Sequence, residues 1–478
     1  MLSVSDAAGE DYYSYTITPE GHIVGDYDPI GTSSDGTWTS VGNTNSGSWT
    51  WDEDGYGPFN SYYAAFDPAR DNLMVCHLDP FDLDYSVDHS MDISGLGYNV
   101  MWCLPTVYWL TDSSGNLVLT NDPSSGGVAY AHTIEGEVFS YVGFGVFEAS
   151  TTTVDGETIL TSTSGTTPLT GVNRATFRDY ANNQLVDADG SGDTGYAMVW
   201  NFYQWQLYRF CAIAVMDSWN SQSVAGNGDV YYDGTPNYTI PGELDQSGPY
   251  AGNRGSSTSY MTDSVKVFIE NAWGSVYDFV DGIVINERSG YYIDQSAVPT
   301  DATSGTYITY IAQSLPSRAG YGSSPCTSHA EVWGMPTASS GTSSSGTCDY
   351  VYTNSSSDCV LCVGGSSNTG SASLALLFGL SFADAAYPSS LASASVGGRL
   401  AFVFDADPIG SFEPLVFESD PVSDGVITPL NNNTVRSYVN GHGPRTFDSM
   451  VARGAQLGNP ASNITLSLSP NDLPMALG

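Results

Sequence analysis

The run "YAMVWNFYQWQLYRFCAIAVMDSWNSQ" constrains the fold more than any other stretch of the chain. Phe202, Trp205, Arg209, Ala212, Met216 and Trp219 recur at three- and four-residue steps, the spacing of one helix face. The remaining positions are nearly as apolar. The helix predicted here has no face to give to water, so it must lie buried at the centre of the molecule. The glycines of "SVAGNGDVYYDG" end it. A shorter helix is predicted in "TGVNRATFRDYANNQ", with Asn173 as its N-cap.

Around these two helices the chain is built of short runs. With 31 Tyr and 52 Gly beside abundant Ser and Thr, composition favours β-structure joined by turn-rich connections. "NVMWCLPTVYWL" reads as a buried strand, followed by a hairpin turn at Asp112–Asn116 and the strand "LVLT". "EVFSYVGFGVFEAS" and "DCVLCVGG" read as further strands. "ENAWGSVYDFVDGIVI", from Glu270 to Ile285, opens on a capped, helix-like turn and closes on a β-branched run. The division expected is an N-terminal β-rich segment over 1–48, a main domain with insertions over 49–405, and a C-terminal β-rich appendage over 406–478.

The formal charge is −40, and it arises from missing base: Lys and Arg together number 12, and Lys266 is the only lysine. A phosphate backbone or an anionic lipid surface needs clustered Lys and Arg, so neither nucleic acid nor membrane is a partner by this reading. An acid-rich, self-repelling extracellular surface is the first interpretation, and a halophile's cytoplasm the second. The N-terminus lacks the basic and apolar regions of a signal peptide, and no apolar run is long enough to span a bilayer, so the chain is read as soluble.

Chemical motifs are sparse. Seven cysteines leave at least one thiol unpaired within the chain. Cys103 and Cys211 read as buried hydrophobes, and Cys326–Cys348 as a disulfide if the protein is exported. Cys359 and Cys362 have metal-type spacing but no second pair nearby, and fit a strand better. The loop "DADGSGD" resembles a calcium loop, yet Met198 stands where the bidentate Glu is needed. The six His are scattered, and neither a nucleophile elbow nor a phosphate-binding glycine loop is present. Four Asn-x-Ser/Thr sites, at Asn237, Asn354, Asn432 and Asn463, fit an exposed surface.

"NAWGSVYDFVDGI" resembles the Gly-Asn-Val-Trp-Glu-Trp-Val signature of the formylglycine-generating-enzyme version of the C-type lectin fold. "VMWCLPTVYW" is similar to the opening strand of that module in phage tail proteins and surface adhesins. "NRATFRDYA", the long helix with "SWNSQSVAGNG", and "VGGSSNTG…SVGGRLAFV" are similar to its helices and closing segment. These landmarks run in order across roughly 99–404. A looser likeness is to adhesin-like surface proteins of gut methanogenic archaea and to viral receptor-binding proteins.

The resemblance implies an α+β fold with two helices against twisted antiparallel sheets. It implies that Trp273 and Phe279 pack under the sheet, and that Asp278 and Asp281 either hydrogen-bond loop backbone or help to hold a Ca²⁺ ion. The family's reactive cysteines have no counterpart near the closing segment, so no enzyme activity is expected. Ligand binding would fall on the loop region 366–395, through Ser366, Ser367, Asn368, Thr369, Phe382, Asp384 and Tyr387. Small polar residues and rigid aromatics are what adaptable binding surfaces use. Leu374, Leu376, Leu377 and Leu380 read as core, while Phe378 counts with Phe382 and Tyr387 among the aromatics of the binding surface. The implied function is a surface-displayed, non-enzymatic receptor-binding protein or adhesin, on a virion or a cell surface, recognising a cell-surface protein or glycan. The alternatives are a structural envelope or virion protein that assembles with copies of itself as a homo-oligomer and, ranked last, a divergent enzyme of the formylglycine-generating type.

Overall fold

The computed structural model describes residues 4–5, 11–24, 51, 55–192, 195–230, 240–252, 264–355, 357–367 and 379–406. The appendage expected over 406–478 lies outside them apart from Ala406. So do Asn237, Asn432, Asn463, Asn368, Thr369 and the run from Leu374 to Phe378.

The fold is β-rich, which corrects the α+β class expected above. Of the described residues, 37% lie in strands and 13% in helices. The α-helices are α1 (Arg174–Asn182), α2 (Phe202–Met216) and the single turn α3 (Ser221–Val224). The helical content is lower than the pattern suggested because sheet pairing captures part of it. Tyr196–Val199, the start of the run read as one long helix, belongs to the strand Gly195–Val199, which pairs with Leu400–Phe404. Asn201 then starts α2 through a capping box: its Oδ1 accepts the Gln204 N–H at 3.0 Å, and Gln204 Oε1 accepts the Asn201 N–H at 2.8 Å. Every residue of α2 is buried. The α1 cap is as expected, with Asn173 Oδ1 accepting the Thr176 N–H at 3.0 Å.

Two eight-stranded sheets dominate. The first is antiparallel and runs Leu185–Val186, Gly195–Val199, Leu400–Phe404, Tyr141–Gly145, Asn99–Pro105, Tyr62–Asp67, Leu73–Asp79, Asp82–Ser86. The second is mixed and runs Ile308–Ile311, Gly290–Asp294, Tyr277–Asn286, Asp358–Val363, Ala383–Tyr387, Tyr350–Thr353, Gly320–Tyr321, with Val396–Gly398 parallel to the start of Tyr277–Asn286. From the N-terminal segment, Ser14–Ile17 pairs with Leu117–Thr120, which places Tyr15 and Ile17 in the main core.

The opening of the Glu270–Ile285 stretch is not helical. Asn271, Gly274 and Ser275 take φ of 52°, 93° and 56°, left-handed values that a helix does not contain. A Cβ on Gly274 would meet the Asp229 backbone N at 2.7 Å, so glycine is required there. Farther along, the register slips between Val280 and Ile285, with Gly282 (φ 63°) in the bulge. The bulge frees the carbonyls of Val280 and Ile283, and both accept hydrogen bonds from Arg174 at 2.8 and 2.9 Å.

Arg399 joins the two sheets. It sits where the chain leaves Val396–Gly398 of the second sheet and enters Leu400–Phe404 of the first. Its guanidinium donates to the carbonyls of Gly145, Val146, Glu270 and Asn271 at 2.9–3.2 Å and to Asp278 Oδ2 at 3.3 Å. All seven cysteines are free thiols, so the expected Cys326–Cys348 bridge does not form. Their sulfurs turn to different partners: Cys326 to Gln313 Oε1 and Cys348 to the Gly346 carbonyl.

Candidate functional site

Cations decide which acidic side chains remain available. Among the described residues, Arg174, Arg178, Arg209, Arg399 and Lys266 are all buried, which leaves Arg70, Arg288 and Arg318 toward the surface. The internal guanidiniums claim the two carboxylates singled out as metal candidates. Asp278 faces Arg399. Asp281 accepts a bidentate pair from Arg178 at 2.8 and 2.6 Å and lies 3.4 Å from Arg174 Nε. Asp301 completes that cluster through both arginines. A guanidinium thus stands where a bound cation would sit. Among the described residues, no group of three His, Cys, Asp or Glu side chains is placed to hold a metal.

Asp384 is different. It lies on the strand Ala383–Tyr387, in register with Tyr352 on one side and Cys362 on the other. It is 5% exposed, and its Oδ1 accepts the Ala386 N–H at 3.0 Å. Among the described residues no arginine, lysine or histidine pairs with it. Burial pushes its carboxyl up to about 6, against the backbone hydrogen bond. Burial also raises the tyrosine hydroxyls of Tyr277, Tyr352 and Tyr387, and the charge of Asp384 raises each further. Three phenols therefore gather about one carboxyl.

The rings form a connected series. Tyr321 meets Tyr350 at 5.5 Å between centroids, Tyr350 meets Tyr352 at 4.8 Å, Tyr352 meets Phe382 at 6.0 Å, and Phe382 meets Tyr277 at 5.6 Å. Phe382 is fully buried, whereas the five tyrosines, Tyr387 included, are each partly exposed. The result is an aromatic, hydroxyl-rich face with a carboxyl beneath it, carried on sheet strands. It offers ring faces to apolar or C–H surfaces and oxygens to N–H or O–H donors. With no cation in the cluster, it has nothing to attract an anion.

Three of the expected ligand-binding residues, Phe382, Asp384 and Tyr387, come together here. Phe382 and Asp384 do so from below the surface rather than on it. Ser366 and Ser367 are corrected from surface to interior, at 1% and 4% exposure. The Ser367 N–H and hydroxyl both donate to the Ser275 carbonyl, at 3.0 and 3.2 Å, which ties this segment to the irregular turn. Tyr277, Tyr321, Tyr350 and Tyr352 were not singled out as binding residues. The alternation of Tyr350 and Tyr352 was a legible signal, because residues two apart on a strand share a face. Cys359 and Cys362 lie buried on Asp358–Val363, and burial raises both thiols, as expected of strand residues. Compared with known proteins, the chain matches no family model and no curated protein sequence.

Proposed function

We propose that this chain is a non-enzymatic, surface-displayed binding protein that meets a cell-surface glycan or protein on the tyrosine-rimmed face around Asp384. One observation carries the reading. A buried carboxyl without a cationic partner among the described residues sits under partly exposed tyrosines on a rigid sheet. Rigid aromatics supply contact area at small entropic cost, and an uncompensated carboxyl rewards a ligand that brings hydrogen-bond donors. The ligand is neutral and hydroxyl-rich, or basic. Display on a virion or cell exterior is consistent with a chain that keeps most of its described cations inside and presents acid outward.

A specific observation favours the second reading, self-assembly. Ile308–Ile311 is the outer strand of the second sheet, carries no charged side chain, and presents Tyr310 at 46% exposure beside Tyr307 at 38%. An uncharged sheet edge is a template for pairing between copies.

Binding of the purified protein to a glycan array and to intact cells decides between them. Tyr387→Ala and Tyr352→Ala, each with an unchanged circular dichroism spectrum, should weaken binding about tenfold. Binding that survives both changes would refute the tyrosine face. Absence of any ligand, together with sedimentation that shifts with concentration and is abolished by Tyr310→Lys, would establish the self-assembly reading instead.

A further inference from the structure

Lys266, the only lysine of the chain, is fully buried. An ammonium in an apolar interior is costly unless it is paired, so its surroundings need an explanation. It stands on the short strand Lys266–Val267, directly opposite Glu270 of Ile269–Glu270. Side chains opposite each other in an antiparallel pair share a face. The Lys266 Nζ donates to the Leu244 carbonyl at 3.1 Å and lies 5.7 Å from the centre of the Tyr63 ring, which is also fully buried. Among the described residues it forms no ion pair.

The segment 242–245 brings two buried acids to the same place. The carboxylate of Glu270 accepts the Gly242 N–H at 2.9 Å and the Leu244 N–H at 3.3 Å, so it lies against the residue whose carbonyl holds Lys266. Asp245 follows Leu244 and is 7% exposed. Its Oδ2 accepts the Ser164 hydroxyl at 2.5 Å, while its Oδ1 is buried without a hydrogen-bond partner. Burial lowers the Lys266 ammonium and raises both carboxyls, against their hydrogen bonds and mutual attraction. The interior therefore favours a neutral amine beside a neutral acid. Those are the forms that condense, because an ammonium is no nucleophile and a carboxylate is a poor electrophile.

We infer that Lys266 and Asp245 are joined by an intramolecular isopeptide bond, with Glu270 as the proton carrier that forms it. The amine Nζ attacks Asp245 Cγ, and a C–N bond forms as one C–O bond breaks. Glu270 takes a proton from the amine and gives it to the departing hydroxyl, which leaves as water. No oxidant, metal or further reactant is consumed. Asp245 is the acyl partner rather than Glu270, because backbone N–H groups hold both oxygens of Glu270. In Asp245 one oxygen is unbonded and can leave, and the Ser164 hydroxyl on the other stabilises the negative charge that develops there. Nζ already rests on the carbonyl of the preceding residue, so the approach to Cγ is left to the rotatable side chain of Lys266. The bond is a covalent staple in a chain whose seven cysteines form no disulfide.

Mass spectrometry of the denatured full chain tests this. The intact mass should fall short of the sequence mass by one water. Trypsin reads the same bond a second way. Peptides 210–254 and 255–288 should appear as one linked pair uncut after Lys266, whereas a free Lys266 gives 255–266 and 267–288 separately. An amine-reactive label added in denaturant should find the α-amine of the chain and nothing else. Asp245→Ala and Glu270→Gln should each restore the full mass and a labelled Lys266, and the wild-type measurement decides the matter if either variant fails to fold. Full mass with Lys266 labelled, a missing water that leaves Lys266 free, or a link from Lys266 to Glu270 would overturn the inference. A bond that still forms in Glu270→Gln would overturn the part given to Glu270.

Discussion

Asp281 and Asp384 both lie buried in the second sheet, yet their surroundings differ. Asp281 is gripped by Arg174 and Arg178, with Asp301 sharing both guanidiniums. Asp384 has tyrosines and a backbone N–H. A fully paired carboxylate has no free electrostatic capacity and serves to hold sheet and helix together. A carboxylate without a cation retains that capacity for a ligand. In a chain with so little base, the placement of each arginine separates acids used for structure from acids open to recognition.

Arg399→Met should have the largest effect. It removes the fastener between the sheets, strands four carbonyls, and leaves Asp278 and Glu148 without their nearest cation. The expected loss is about 3–5 kcal/mol in urea unfolding, the range for breaking a buried charge pair. A loss below about 1 kcal/mol would mean that the guanidinium contributes no more than a surface pair.

Next in size is a pH effect from Asp349. Burial pushes its carboxyl up to about 8, against the Ser381 N–H that it accepts at 2.8 Å and the charge of Arg209. The folded state therefore holds this proton more tightly than the unfolded state. The stabilisation is full at acid pH and is lost as pH rises through about 8. His77 and His132, lowered by burial to about 4, act with the opposite sign, but only below their ordinary value of 6.5. Between pH 6.5 and 8 the melting temperature should fall, and Asp349→Asn should flatten the slope. An unchanged slope in the variant would assign the effect to other groups.

The smallest stability change should come from Asp384→Asn. The amide oxygen can still accept the Ala386 N–H, and the desolvation of a buried charge is relieved. Thermal stability should stay within about 1 kcal/mol of wild type or rise, while any ligand affinity drops. A large destabilisation would place Asp384 with Asp281 as a structural acid and dissolve the contrast.

Much of the local structure was legible in the sequence. The Asn173 cap, the burial of the 202–216 helix all round, and the strands flanking the Asp112–Asn116 turn follow from spacing and propensity. Other features were not. The strand Gly195–Val199 reads as helix in isolation because its apolar residues satisfy both periods, and only pairing with the distant Leu400–Phe404 selects the sheet. The turn after Glu270 departs from a helix because backbone from Asp229 packs against Gly274, which no local pattern announces.

By itself, then, the sequence determined a large, turn-rich, acid-surfaced protein with one fully buried helix and almost no base, since composition and periodicity are properties of neighbouring residues. Only the tertiary structure decided that Arg399 and Arg178 would take Asp278 and Asp281, that Ser366 and Ser367 would be interior, and that Tyr277, Tyr352 and Tyr387 would meet around Asp384. Ion pairing and aromatic contact depend on distance in space, and strand order sets that distance. Residues from separate segments become neighbours only once the sheet has closed around them.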